Sequence, residues 1–209
     1  FRSEKITPHR AMIQNDALRA ELKNRIDFKM VRQLGGLAYE GTWSVVSPSG
    51  DTLQITAQAV KQDERLPHTS EPMNSWGILF QVDGASTVTG AAGSAAIDIY
   101  NGLFVFVHEL MRIQSRKTPV EALQFLEFEP SMLPVYETFI KIFLPKEQFV
   151  RYDQKKLLSV KALERIKAIN PAVSGDLDAQ IATAREEQRS RVEEIRKQKN
   201  ALLRGAAPT

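Results

Sequence analysis

Three histidines, His9, His68 and His108, are the whole supply of imidazole in this chain of 209 residues. Only His108 has a suggestive neighbour. His108-Glu109 opens like the zinc-binding helix pattern His-Glu-x-x-His, in which two imidazoles one turn apart grip a metal and the glutamate acts as base. The fifth position is Arg112, a cation that cannot ligate a metal, so the pattern fails. His108 therefore reads as a structural residue in an apolar run. His9 falls in the first turn of an expected helix and His68 in a polar loop, neither with a catalytic or metal-binding companion. The chain has no cysteine, which excludes disulfides, thiolate catalysis and cysteine-ligated zinc or iron–sulfur groups.

Other chemistries are no better supplied. No Gly-x-Ser-x-Gly elbow and no phosphate-binding Gly-x-x-x-x-Gly-Lys-Ser/Thr loop occurs. The stretch from Gly84 to Gly93, GASTVTGAAG, could cradle a phosphate if it opened a helix, but it has no Lys or Arg beside it and reads as a close-packing segment. Glu127 and Glu129 could flank a pocket; solvation of a helix end before Pro130 explains them equally well. Glu186-Glu187 and Glu193-Glu194 alternate with arginines at helical spacing, as on an exposed ion-paired helix. No catalytic residue, metal ligand or cofactor is assigned, and the chain leans away from being an enzyme.

The strongest signal outside the expected core is the last helix, about Leu177 to Leu203, opened by Ser174 and stopped by Gly205. Its apolar stripe of Leu177, Ile181, Ala184, Val192, Ile195 and Leu202 is thin, and Gln188 and Lys199 interrupt it. A helix so charged gains little from its own domain, so docking on a protein partner or another subunit is the favoured reading, with a plain solvated helix that projects freely as the next. Arg185, Arg189, Arg191, Arg196, Lys197 and Lys199 are the candidate contacts. They could also meet the phosphates of nucleic acid or acidic lipid, although four interleaved glutamates weaken that field. From Lys146 to Thr209 there are 14 Lys plus Arg against 9 Asp plus Glu, which leaves 14 against 16 for the rest of the totals of 28 and 25. The basic character of the chain belongs to its last third.

These residues need a frame. The most apolar run, Ala95 to Ile113, has Asn101-Gly102 at its middle. Asn and Gly tolerate the positive φ of a tight hairpin turn, and the flanks are β-branched and aromatic. One buried helix would instead place Gly102 mid-helix at a cost of about 1 kcal/mol. A hairpin is therefore expected, with Leu103, Val105 and Val107 on one face and Phe104, Phe106 and His108 on the other. Strands are also expected at Leu37–Val46, Thr52–Val60 and Trp76–Val82, with a short one at Thr87–Thr89. Lys61–Ser75 reads as a long exposed loop.

Thr7-Pro8 should start an N-terminal helix running to Gln33, with Leu18, Leu22, Ile26 and Met30 as its buried stripe. Thr118-Pro-Val-Glu121 reads as a capping box opening a helix over Ala122–Phe128. Met132–Phe143 reads as a helix, and Lys146–Ile169 as one or two helices with a break near Ser159. The expectation is an α+β fold: an N-terminal helix, an antiparallel meander of five or six strands, then helices. Residues 1–145 would form the core domain and 146–209 a helical extension.

Two further expectations complete this reading. Trp76, Phe80, Tyr100, Phe104 and Phe106 are candidate lining residues for an apolar ligand or lipid pocket between sheet and helices. The favoured function is non-enzymatic: a binding or assembly module acting by protein–protein contacts in a larger complex, with the cell envelope one setting for it. The chain starts at Phe1 rather than Met, as a processed or excised form would; a signal or anchor ahead of Phe1 would fix the compartment, which the residues themselves leave open.

Overall fold

The computed structural model describes residue 24 and residues 26–33, 38–47, 49–82, 94–116, 118–126, 133–144 and 148–205. Within them lie seven strands, most of them paired antiparallel, and four α-helices of an α+β fold. The strands are β1 (Lys29–Arg32), β2 (Ala38–Val46), β3 (Thr52–Arg65), β4 (Pro72–Val82), β5 (Ala122–Phe125), β6 (Phe149–Arg151) and β7 (Lys156–Ser159). The helices are α1 (Ser94–Gln114), α2 (Leu133–Phe143), α3 (Val160–Ile169) and α4 (Ser174–Gly205). The chain divides into two compact units, one drawn from Phe1–Glu64 and Asn74–Glu127, the other from Arg65–Met73 and Phe128–Thr209.

In the first unit the strand order is β1-β2-β3-β4-β5. The alternation of β2 is clean: Tyr39, Gly41, Trp43 and Val45 are buried while Glu40, Thr42 and Ser44 are not. β3 lies antiparallel to it, with Trp43 opposite Ile55 and Gly41 opposite Ala57. The other face of the pair is polar and knitted across the strands. Gln58 Nε2 donates to Glu40 Oε2 at 2.9 Å, and Ser44 Oγ donates to Gln54 Oε1 at 2.8 Å. β1 is a short edge strand carrying Lys29 and Arg32, charges that discourage further pairing.

The Asn101-Gly102 hairpin expected from sequence does not form: the whole run is the helix α1. Gly102 is needed for close approach, not for positive φ. A Cβ there would lie 2.2 Å from Cε2 of Trp43. Leu103, Phe104, Val105, Phe106, Val107 and Leu110 are all buried, so a helix apolar on every side is what this site requires.

Other expectations are corrected too. β4 and β5 are parallel, joined by a crossover containing α1, so the sheet is no simple meander, and strands number seven. Thr118–Glu121 does not cap a helix; Ala122–Phe125 is β5, and its alternate residues are buried on both faces. Lys61–Ser75 is not a loop. β3 runs on to Arg65 and β4 restarts at Pro72, with a tight turn between. The Leu66 amide donates to the Glu71 carbonyl at 2.8 Å, and His68 takes the left-handed conformation at φ 59°. No N-terminal helix reaches Gln33: Lys29–Arg32 is β1. Residues 1–23 and the Thr87–Thr89 strand lie outside the described residues.

In the second unit, Phe149–Arg151 and Lys156–Ser159 form an antiparallel hairpin where helix was expected. Its turn is built by Asp153, whose Oδ1 accepts from the amides of Lys155 and Lys156, both at 2.8 Å. The break near Ser159 is real: its Oγ accepts from the Ala162 amide at 3.0 Å and caps α3. Asn170 ends α3, a 3-10 turn follows at Pro171–Val173, and α4 begins at Ser174. The β3–β4 turn belongs to this unit, held by Arg165 on the Pro72 carbonyl at 2.9 Å and Asn170 on the His68 carbonyl at 3.1 Å.

Candidate functional site

Two places gather polar side chains. The first, in the first unit, is centred on Asn74. Its Oδ1 accepts from Lys61 Nζ at 2.6 Å and from Trp76 Nε1 at 2.9 Å. Its Nδ2 donates to the carbonyls of Thr118 and Pro119 at 2.8 and 3.1 Å. Its amide donates to Glu121 Oε1 at 3.1 Å, and its carbonyl accepts from the Glu121 amide at 2.8 Å. Every hydrogen-bonding position of the Asn74 side chain is thereby used.

The Lys61 ammonium sits 5.6 Å from the centroid of the Trp76 ring. Burial holds its pKa below the usual lysine range, with the Glu121 charge opposing that shift. The arrangement clasps the parallel β5 onto β4. It pairs no nucleophile with a base, so its chemistry is cohesion.

Around α1 the failed zinc motif has a structural answer. Arg112, which takes the place of the second histidine, donates from Nε and Nη2 to Glu109 Oε2 at 3.0 and 2.8 Å. Glu109 is buried, and its hydrogen bonds, with its charge second, raise the pKa of Arg112. His108 stands edge-on to Phe104, centroids 4.5 Å apart. Among the described residues no group of three or more His, Asp or Glu could hold a metal ion.

The pocket candidates Trp76, Phe80, Phe104 and Phe106 are buried and Tyr100 half-buried. Trp76 packs against Tyr39 at 5.5 Å between centroids, and Phe106 against Phe28 at 6.4 Å. Phe104 and Phe106, two residues apart, leave α1 on opposite sides, so these two do not line one cavity together.

The second place is α4. Its four buried residues are Leu177, Ile181, Gln188 and Val192. Gln188, read from sequence as an interruption of the stripe, faces inward, and its Nε2 is buried without an acceptor. In the same unit Arg151 is buried with Glu137 beside it, and Arg151 Nη1 donates to the carbonyls of Asp153 and Gln154 at 3.1 and 2.9 Å. Burial lowers the Arg151 pKa, and the Glu137 charge opposes that shift.

All six basic candidates on α4 are exposed: Arg185, Arg189, Arg191, Arg196, Lys197 and Lys199. Arg189 is engaged with Glu186 at 2.7 Å, which raises its pKa. Beyond Ile195 no residue of α4 is buried, and Leu202 and Leu203 are 75% and 64% exposed. Sequence reasoning placed Leu202 in the thin apolar stripe without separating it from the packed residues; the exposed pair of leucines is the feature it missed. An adjacent pair beside Arg204 at a helix end was the available signal.

No described helix is long and apolar enough to cross a membrane. Compared with known proteins, the chain matches no family model, no curated sequence and no solved structure.

Proposed function

We propose that this protein is a non-enzymatic binding and assembly module that works through protein–protein contacts in a larger complex, with α4 as its docking element. One observation carries this reading. α4 runs on past its packed half, and its end sets Leu202 and Leu203, 75% and 64% exposed, among Arg196, Lys197, Lys199 and Arg204. Covering a leucine gains about 1.5–3 kcal/mol, so two neighbouring ones on a helix already rigid at its other half are an anchor with little ordering cost. The flanking cations would set orientation and encounter rate.

Cross-linking mass spectrometry on the full chain in its own cells tests this. Lys197 and Lys199 are expected to cross-link to another polypeptide chain. If their cross-links stay within the same chain, the assembly reading is wrong.

A further inference from the structure

The packing face of α4 does not end where its cover ends. At about 100° of turn per residue, the buried Leu177, Ile181, Gln188 and Val192 share a sector of about 60°. Within the same unit α2 and β6 pack against α4. Leu202 falls about 20° outside one edge of that sector and Leu203 about 20° outside the other, with Lys199 between them. Both leucines are exposed, at 75% and 64%, so among the described residues the packing face runs on uncovered beyond Ile195.

The spacing of this face is that of a seam between helices. Gln188, Val192, Ile195, Lys199 and Leu202 recur at intervals of four, three, four and three residues, the repeat by which paired helices meet. Charges beside such a seam set the choice of partner. Here they have one sign. Arg191 and Arg196 flank the seam on its two sides and Lys199 stands within it. The nearest acids, Glu193 and Glu194, each lie about 60° further round the helix, and after Glu194 there are four bases and no acid. Among the described residues Arg191, Arg196 and Lys199 have no acidic partner, whereas Arg189 is taken by Glu186 at 2.7 Å.

Resting on the assembly reading above, we infer that the uncovered end of α4 receives an acidic amphipathic helix of a different protein, which lays its apolar side on Leu202 and Leu203 and sets carboxylates against Arg191, Arg196 and Lys199. Charge complementarity carries the choice. A second copy laid tip against tip would bring four bases against four with no acid to answer them. A wholly apolar partner would bury the Lys199 ammonium unpaired, whereas a carboxylate opposite it answers the charge and fixes the register. An acidic lipid surface has no seam to match and would have to take Lys199 at the centre of the inserted face. The free strip, Ile195 to Gly205, is about 16 Å long and about 10 Å wide, far below the ~800 Å² per partner of a standard interface. It therefore selects a partner and speeds its approach more than it holds one, and salt weakens that selection.

Photo-cross-linking of the full chain in its own cells tests this. A benzophenone amino acid replaces Leu202 or Leu203, and Ser190, exposed on the opposite side of α4, serves as the control position. The two leucine positions should each attach to a peptide of another protein that carries Asp or Glu within one helical turn of the attachment point, and the control should not. Arg196→Glu with Lys199→Glu should cut that adduct about tenfold, the effect of ~1.4 kcal/mol, with circular dichroism unchanged. Lys in place of the partner's acids should restore it. If the double reversal unravels the helix end, Arg196→Gln with Lys199→Gln removes the charges without reversing them and should give a smaller loss in the same direction. An adduct to this same chain, to phospholipid, or to a peptide without acids overturns the inference. So does an adduct indifferent to both pairs of substitutions. If Lys197 and Lys199 cross-link to another polypeptide while both leucine positions stay bare, this inference falls and the assembly reading stands; if neither kind of cross-link reaches another chain, both fall.

Discussion

Gly102 of α1 lies flat against the indole of Trp43 on β2, so close that a Cβ on the glycine would fall 2.2 Å from Cε2 and 2.3 Å from Nε1. One turn further along α1 the arrangement is reversed. There Phe106 is the large residue and Gly41 of β2 the small one, with a Cβ on Gly41 meeting Phe106 Cδ2 at 2.5 Å. Four residues of helix advance about 6 Å and two residues of strand about 6.7 Å, so the alternation of large and small stays in step along both elements. Further on, Gln114 Nε2 donates to the Tyr39 hydroxyl at 3.2 Å, continuing the same antiparallel run.

Gly102→Ala should therefore destabilise the protein, although alanine is the better helix former by about 1 kcal/mol. The Trp43 ring is 1% exposed and has nowhere to retreat. Overpacking of this kind costs typically ~1–3 kcal/mol and more where the neighbour is rigid, so a loss of about 3 kcal/mol is expected in urea unfolding. Trp43→Phe in the same background should recover part of it, because the pair shares one space and its effects do not add. A Gly102→Ala chain as stable as the wild type would remove the close-approach argument.

The same contact explains what was legible in the sequence. The alternation of β2 and β3 and the long, charge-sorted α4 are local patterns, legible in the sequence, although α4 starts at Ser174, three residues before the expected Leu177. Asn101-Gly102 was misread because a glycine serving a neighbour's side chain looks the same in sequence as one serving a turn. Glu121 imitated a capping box while its carboxylate answered the amide of Asn74, 47 residues earlier. The polar run after Lys61 resembled a loop because its strand faces are charged; the ladder holding it comes from residues beyond the turn. The basic face of α4 was visible, whereas the exposure of Leu202 depends on where the covering elements stop, which no periodicity reveals.

Gln188 offers a gain in stability. It is 2% exposed on α4, and its Nε2 lacks an acceptor. A buried donor left unpaired costs ~1–3 kcal/mol, and glutamine and leucine are of similar size. Gln188→Leu should raise the unfolding free energy by about 1 kcal/mol. A drop in the urea midpoint would show that the amide is held by a partner.

The Arg151–Glu137 pair should behave asymmetrically. Their side chains are only 7% and 15% exposed. Removing one member strands a buried charge, so Glu137→Gln is expected to cost about 3 kcal/mol or more. Replacing both, as Glu137→Leu with Arg151→Met, should cost clearly less than the sum of the single changes. Chemical unfolding of the three variants decides it, and simple additivity would mean the two side chains do not interact.

Lys61 makes stability depend on alkaline pH. Its folded-state pKa is lowered, chiefly by burial, below the ordinary 10.5. Between the two values the unfolded chain binds more protons than the folded one, so stability rises with pH through that window and the gain is complete above 10.5. At neutral pH the charged ammonium is carried at a cost, reduced by its exposure to solvent and by its contacts with Asn74 and Trp76. Other lysines and tyrosines titrate in the same range, so the informative quantity is the difference between the wild type and Lys61→Met. The wild type should gain relative to the variant as pH rises from 7 towards 10.5 in parallel urea titrations. A difference that stays level would show that burial does not disfavour the charged amine, and one that moves the other way would mean that the Glu121 charge outweighs desolvation at this site.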